Sequence, residues 1–463
     1  MSSATPPLII LILSNIITPV LSHDNGHDAA TMSDGGSHTE ALPPSYFDLA
    51  DHAAAMYAHI TLMVVAWVLV LPLAVMLSLA RSRYTLASQS VFLAFNALGV
   101  LVGAIYNAAT PDLYPNNAHH KAGWVFTWIA LAQSELPTLV SIDIGFAVIT
   151  GLEMLFAAYG RLFEGRAIYG GMAHWIKGGV FFWLGIFTLG RWSGSFGKLG
   201  WAWNARAGGS QDKWYPSAEL VESALIFSYG ATNVFLEHLS STDKTWTPRD
   251  LEHVSITILF IGGGLLGVLV ESTRARDLLY TTGTEVAFPA HEATRMDGER
   301  TEKQNAAEPP KHYDFSINPV PALVILLLGT TMSSHHQSTM DSTMMHKQWG
   351  NLLTGASIAR GFTYVLVYLK PPRSILPSRP PTELVTSFCL ITGGIIFMAS
   401  STDTVEGLRH YNLDAMFVYT VVTGIVGLLM AWVIIVLAVK GAAVRQQRRA
   451  QTSARTSNER QGV

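Results

Sequence analysis

Long apolar runs, recurring one after another with only short polar breaks, leave few folds open to this chain. A membrane-spanning helix needs about 20 consecutive, mostly apolar residues. Stretches of that kind lie at 56–80, 88–108, 138–158, 217–238, 251–271, 320–339, 350–369, 385–402 and 414–439. Two weaker candidates are 119–134 and 176–192, the second containing Gly178-Gly-Val-Phe-Phe-Trp-Leu-Gly-Ile-Phe187. These runs crowd out charge. Only 14% of the 463 residues are Asp, Glu, Lys or Arg, against roughly 25% in soluble chains. The expected fold class is all-α, a polytopic transmembrane helix bundle.

The span count turns on 119–158, which is too long for one helix crossing at about 1.5 Å per residue. Ser134-Glu135-Leu136-Pro137 in its middle supplies a polar break and a proline, so we read two helices there and about eleven spans in all. The distribution of basic residues supports this count. With the N-terminal arm in the lumen, Arg81, Arg83, Arg191, Lys198, Arg206, Lys213 and the charged loop 272–319 all fall on the cytosolic side. So do Lys370, Arg373, Arg379 and the tail from Lys440, as the positive-inside rule requires. With ten spans, every basic loop after the break would face the lumen.

The ends of the chain follow the same logic. Residues 1–22 carry an apolar core, Leu8-Ile-Ile-Leu-Ile-Leu13, before a small residue, Ser22. This is the pattern of a signal peptide; an uncleaved first helix is the alternative. Residues 23–50 read as a disordered lumenal arm bearing His23, His27 and His38. An N-terminal four-helix membrane domain is expected over 51–175 and a C-terminal seven-helix domain over 176–440. The latter includes the cytosolic loop 272–319, and a basic cytosolic tail occupies 441–463. Cys389 is the lone cysteine, so no internal disulfide can form and packing must hold the bundle. A net charge of −3 offers no basic field for nucleic acid. The partner expected from the sequence is the lipid bilayer itself.

Polar residues within or beside spans are costly and therefore mark candidate sites. In the eleven-span topology the histidines gather at the lumenal edge. His59 starts the first helix, and His119 and His120 open the third. Imidazoles from neighbouring helices can fill both axial positions of a haem iron. These residues resemble the His…Leu-Met and His-His-Lys elements of the ascorbate-dependent transmembrane cytochromes b, which implies haem b as a cofactor. That family pairs histidines on both membrane sides, whereas the cytosolic ends here have none, so at most one haem site is expected. The alternative is that these histidines cap helices at the interface.

A second group comprises Glu237, His238, His253, His335, His336, Asp341 and His346. Imidazole and carboxylate donors from several helix ends suit a divalent ion such as zinc or copper. Met332, Met340, Met344 and Met345 could add soft donors, or simply pack. A seven-span zinc hydrolase of the ceramidase type would use His253, His335, His346, Asp341 and Ser255. A carrier or structural protein would use the histidines only as caps. Glu219 and Glu222, three apart, share a helix face. Glu271, Glu153 and Asp143 within the spans are expected to pair with a neighbouring Arg, for which Arg360 inside the ninth span is the obvious candidate, or with an interhelical amide. No phosphate-binding loop, nucleophile elbow or HExxH occurs, so nucleotide-driven chemistry has no support.

Longer motifs carry a resemblance. One run is His59…Leu62-Met63…Trp67…Pro72…Arg81-Ser-Arg83-Tyr84, and another is Tyr106-Asn107…Thr110-Pro-Asp-Leu-Tyr-Pro-Asn-Asn-Ala-His-His-Lys121. The second half adds Gly190-Arg-Trp-Ser-Gly194, Thr232-Asn-Val-Phe-Leu-Glu-His238, Asp250-Leu-Glu-His-Val-Ser255, Ser334-His-His-Gln337 and Ser378-Arg-Pro-Pro-Thr-Glu383. Together, over most of residues 45–440, these resemble the fungal YTP-like family. The resemblance implies a multispanning protein of fungal secretory or surface membranes, and it names no reaction. The C-terminal seven spans also resemble, more loosely, the transmembrane protein 45 family.

Overall fold

A computed structural model describes residues 50–111, 168–205, 216–240, 248–279, 316–334 and 339–461, with a few isolated positions besides. Among the described residues every regular element is helical, so the chain is an all-α membrane bundle as expected. The signal segment, most of the arm, the spans at 119–134 and 138–158, His119, His120, His335 and His336 lie outside the described residues. The count of eleven spans therefore still rests on charge placement. Among the described residues six helices are long and apolar enough to cross a membrane.

The described residues fall into two units, 1–154 with 436–463, and 155–435. In the first, helix α1 (Ala53–Leu79) packs on α2 (Thr85–Ala109). α1 is not uniform, because Val65–Val70 is wound as a π-helix. Pro72 explains this: it has no N–H for the carbonyl four residues earlier and its ring crowds that carbonyl, so the turn widens. Trp67 lies in the widened turn and donates its indole N–H to Asn96 Oδ1 at 2.8 Å. Its ring meets Phe92 edge-on at 5.5 Å. A buried amide in an apolar helix is thereby satisfied from the neighbouring one.

The second unit contains α3 (Ile168–Ser193), α4 (Ala218–Ser240), α5 (Pro248–Glu271), α6 (Val320–Ser333), α7 (Met340–Leu369) and α8 (Pro381–Ala399). A short surface helix α9 (Thr402–His410) leads into α10 (Ala415–Gln461). Each of the seven apolar runs expected after residue 175 overlaps a helix, and four of these, α5, α7, α8 and α10, are long and apolar enough to cross a membrane. α7 begins at Met340, ten residues before the apolar run at 350, because Thr339 caps it by accepting from the Ser342 N–H. An N-cap fixes a helix start that hydropathy cannot see.

Neighbouring helices run antiparallel, and glycines set how closely they approach. Gly178 lies against Gly394 and Met398 while Gly185 lies against Ile391 and Ser387, pairing α3 with α8. Gly264 meets Phe227 and Gly267 meets Ser223, pairing α5 with α4, and Gly329 meets Gly350 between α6 and α7. In lipid there is no hydrophobic drive between helices, so close van der Waals contact of this kind carries their association. Large apolar side chains such as Leu101, Ile105, Leu265, Leu269 and Leu428 are exposed, which suits acyl chains rather than water.

Candidate functional site

Six polar side chains from four helices meet inside the second unit, at the ends that the positive-inside rule assigns to the cytosol. Arg191 is two residues from the end of α3, Glu219 and Glu222 sit on the first turns of α4, and Glu383 lies on the first turn of α8. Arg360 and Thr188 lie deeper. Arg360 is nine residues before the end of α7, about 13 Å along its axis. Antiparallel packing brings these ends to one level.

Arg191 places one guanidinium nitrogen 3.0 Å from Glu219 Oε1 and the other 3.1 Å from Glu222 Oε1. Its Nε donates to the Trp201 carbonyl at 2.7 Å. Arg360 holds Glu383 with Nε, 2.8 Å from Oε1 and 3.0 Å from Oε2. A second Arg360 nitrogen reaches Glu222 Oε2 at 3.4 Å, and the third donates to Thr188 Oγ1 at 3.2 Å. Glu222 thus bridges the two arginines. The burial is nearly complete: Arg191 is 2% exposed, Glu222 6%, Arg360 5% and Glu383 0%. Charges so far from water persist only when paired and hydrogen-bonded.

One segment covers the cluster on the helix-end side. After Ser193 the chain turns through Gly194, with a positive φ of 96°, and Trp203, with a φ of 49°. The Trp203 ring lies 4.4 Å from the Arg191 guanidinium carbon and 6.0 Å from that of Arg360, a cation–π cover. Buried Asn204 anchors the segment. Its amide donates to the carbonyls of Gly197 at 2.9 Å, Ala205 at 3.0 Å and Ile375 at 2.9 Å. Ser378 ties down the Trp203 carbonyl at 2.7 Å.

The arrangement corrects one expectation. Arg360 takes Glu222 and Glu383 as partners. Glu271 instead accepts from Ser217 and Ser316 at the foot of α5, while Asp143 and Glu153 lie outside the described residues. Arg191, read from the sequence as a topology-setting basic residue, is a buried member of the network. The signals were present, as two glutamates on one face and an arginine in a span. Their pairing was not, because Glu222 and Arg360 are 138 positions apart.

The histidines divide differently. His59 binds the Gly99 carbonyl through Nδ1 at 2.8 Å. A carbonyl only accepts, so Nδ1 is the donor. His346, buried on α7, makes the same contact to the Ser342 carbonyl at 2.8 Å. Its ring meets that of His174 on α3 at 5.9 Å, within a cluster where Trp349 and Phe397 stack at 4.0 Å. His174 went unnoticed in the sequence because it precedes the apolar run of α3. Asp341 stands 4.0 Å from Arg409 on a largely exposed surface, and His253 occupies the start of α5. Glu237 and His238 belong to α4, but their side chains lie outside the described residues, as do His335 and His336. Among the described residues no three His, Cys, Asp or Glu side chains gather as a metal site.

Comparison with known proteins places the chain. A family model described as Protein YTP1-like, C-terminal, matches residues 147–441, and one described as Domain of unknown function (DUF2427) matches 40–142. An uncharacterized membrane protein of Schizosaccharomyces pombe is 30% identical, covering 84% of this chain and 94% of the relative. An uncharacterized membrane protein of Saccharomyces cerevisiae is 40% identical over 60% of this chain and 43% of its own length. The protein YTP1 of Saccharomyces cerevisiae is 24% identical over 45% and 36%. The chain thus spans less than half the length of these two budding-yeast relatives. No solved structure matches. With matched models running from residue 40 to 441 and six helices suited to a bilayer, this integral membrane protein belongs to the YTP1-like family.

Proposed function

We propose that the chain is a carrier of fungal secretory or surface membranes, and that the Arg191–Glu219–Glu222–Arg360–Glu383 network is the polar centre its cargo or coupling ion meets. The observation that carries this reading is the placement of five ionisable side chains, all nearly fully buried, on four separate helices. A purely structural bundle gains little from buried ion pairs, since well-packed apolar residues do as well or better. Ionisable groups facing a bundle interior are the usual marks of a conduction path. Because each helix contributes a different charge, a shift of one helix breaks one pair and strengthens another, which gives two discrete arrangements.

A cysteine at Thr188, in a chain whose native Cys389 is serine, tests this. Membrane-impermeant maleimide applied separately to each face of sealed vesicles should modify Thr188→Cys from both sides. Modification from neither side, or from one side only, would leave a static network and end the carrier reading.

A second reading is supported by the Nδ1 contacts of His59 and His346. An Nδ1–H bonded to a backbone carbonyl, with the lone pair on Nε2, is the usual posture of a ligating histidine. A haem at His59, or a zinc or copper ion at His346, would use it. Purified protein should then show a reduced-minus-oxidised Soret change that His59→Ala removes, or stoichiometric metal that His346→Ala removes. A flat difference spectrum together with metal-free protein would sink this reading.

A further inference from the structure

We infer that the network holds one exchangeable proton, shared among Glu219, Glu222 and Glu383, and that the ion to which the bundle couples is therefore H⁺. This deepens the carrier reading, on which the proton's use rests.

The first ground is charge. Two arginines face three glutamates, and arginine stays protonated in proteins. With every carboxylate ionised, the cluster would hold one uncompensated negative charge among side chains no more than 6% exposed. The described titratable groups facing it are Arg191 from α3, Glu219 and Glu222 from α4, Arg360 and Tyr364 from α7, and Glu383 from α8. The covering segment adds only the Trp203 ring, and Glu271 is occupied by its two serines. Among the described residues no further cation balances the excess.

The second ground is the distribution of donors. The single Nε–H of Arg360 bonds Glu383 Oε2 at 3.0 Å, and Glu383 Oε1, 2.8 Å from that nitrogen, is buried with no hydrogen bond among the described residues, so this carboxylate is short of donors. Glu219 and Glu222 divide Arg191 between them, one nitrogen each, and Arg360 reaches Glu222 only at 3.4 Å. Three carboxylates sharing two guanidiniums need one proton to become neutral overall, as paired acids elsewhere do.

The third ground is independent of charge. The Tyr364 hydroxyl, one turn beyond Arg360 on α7, is buried with no hydrogen-bond partner among the described residues. It lies within electrostatic reach of Glu219 and Glu222. A hydroxyl can donate to a carboxylate and accept from a carboxylic acid, so it can serve this pair with or without its proton. A metal cation fits less well, because two guanidiniums would repel it at contact distance.

Infrared spectroscopy of the full chain in lipid reads this directly. The wild type should show the C=O stretch of a protonated carboxyl that disappears between mildly acidic and mildly alkaline buffer. Glu219→Gln and Glu222→Gln, each resembling the protonated state and expected to fold, should lack that band, whereas Glu271→Gln should keep it. Absence of the band from the wild type, or its survival in both variants, overturns the inference. So does a band that ignores buffer pH, or one that disappears on adding sodium at constant pH. The test is separate from cysteine labelling: a titrating band with no two-sided labelling would keep the proton and remove the carrier.

Discussion

Arg360→Met is expected to lower the thermal midpoint of the detergent-solubilised protein sharply, by an equivalent of about 3–5 kcal/mol. The substitution roughly preserves volume, and Thr188 loses only a hydrogen bond of 3.2 Å. What changes is Glu383, fully buried, whose carboxylate loses the Arg360 Nε contacts at 2.8 and 3.0 Å. Glu222 loses one of its two guanidiniums and keeps Arg191. A buried carboxylate without a partner must take up a proton or drag in water, and either route destabilises the fold. Adding Glu383→Gln to Arg360→Met should recover most of the loss, because it removes the orphaned charge. A single variant as stable as the wild type, or a double variant no better than the single, would show that the pair does not hold α7 to α8.

Gly394→Leu should have an effect of similar size by a different route. A Cβ at Gly394 would stand 2.6 Å from both the Gly178 carbonyl oxygen and the Phe182 backbone nitrogen. Both obstacles are backbone, so no rotamer change relieves them, and α3 must move away from α8. That movement would also loosen Ser387, whose hydroxyl donates to the Gly185 carbonyl at 2.8 Å. We expect the variant to elute as aggregate in size-exclusion chromatography. Gly427→Leu on α10, where a new Cβ meets nothing within 4 Å, should elute as the wild type does. Equal behaviour of the two variants would contradict the close α3–α8 contact.

These two expectations mark how much of the molecule was legible in the residues alone. Hydropathy located seven of the eight described helices of the second half, α3 to α8 and α10, because insertion into lipid depends on the local sum of side-chain transfer energies. It misplaced the start of α7, where a threonine cap rather than apolarity sets the boundary. It also gave no sign of α9, an amphipathic nine-residue helix too short and polar for a span. The histidine motifs pointed to a family, and the matched models support that family. Motifs pointed less well to a site: of the described histidines only His346 and His174 come together.

The apolar runs with which the sequence begins its constraint determined, unaided, that this is an all-α membrane protein, because a run's length and apolarity are properties of neighbouring residues. Which buried charge finds which partner was decided only by the tertiary structure. Arg191, Glu219, Glu222, Arg360 and Glu383 are brought to one level by four antiparallel helices whose spacing depends on distant glycines. Coulombic pairing depends on distance in space, and separation along the chain carries no record of it.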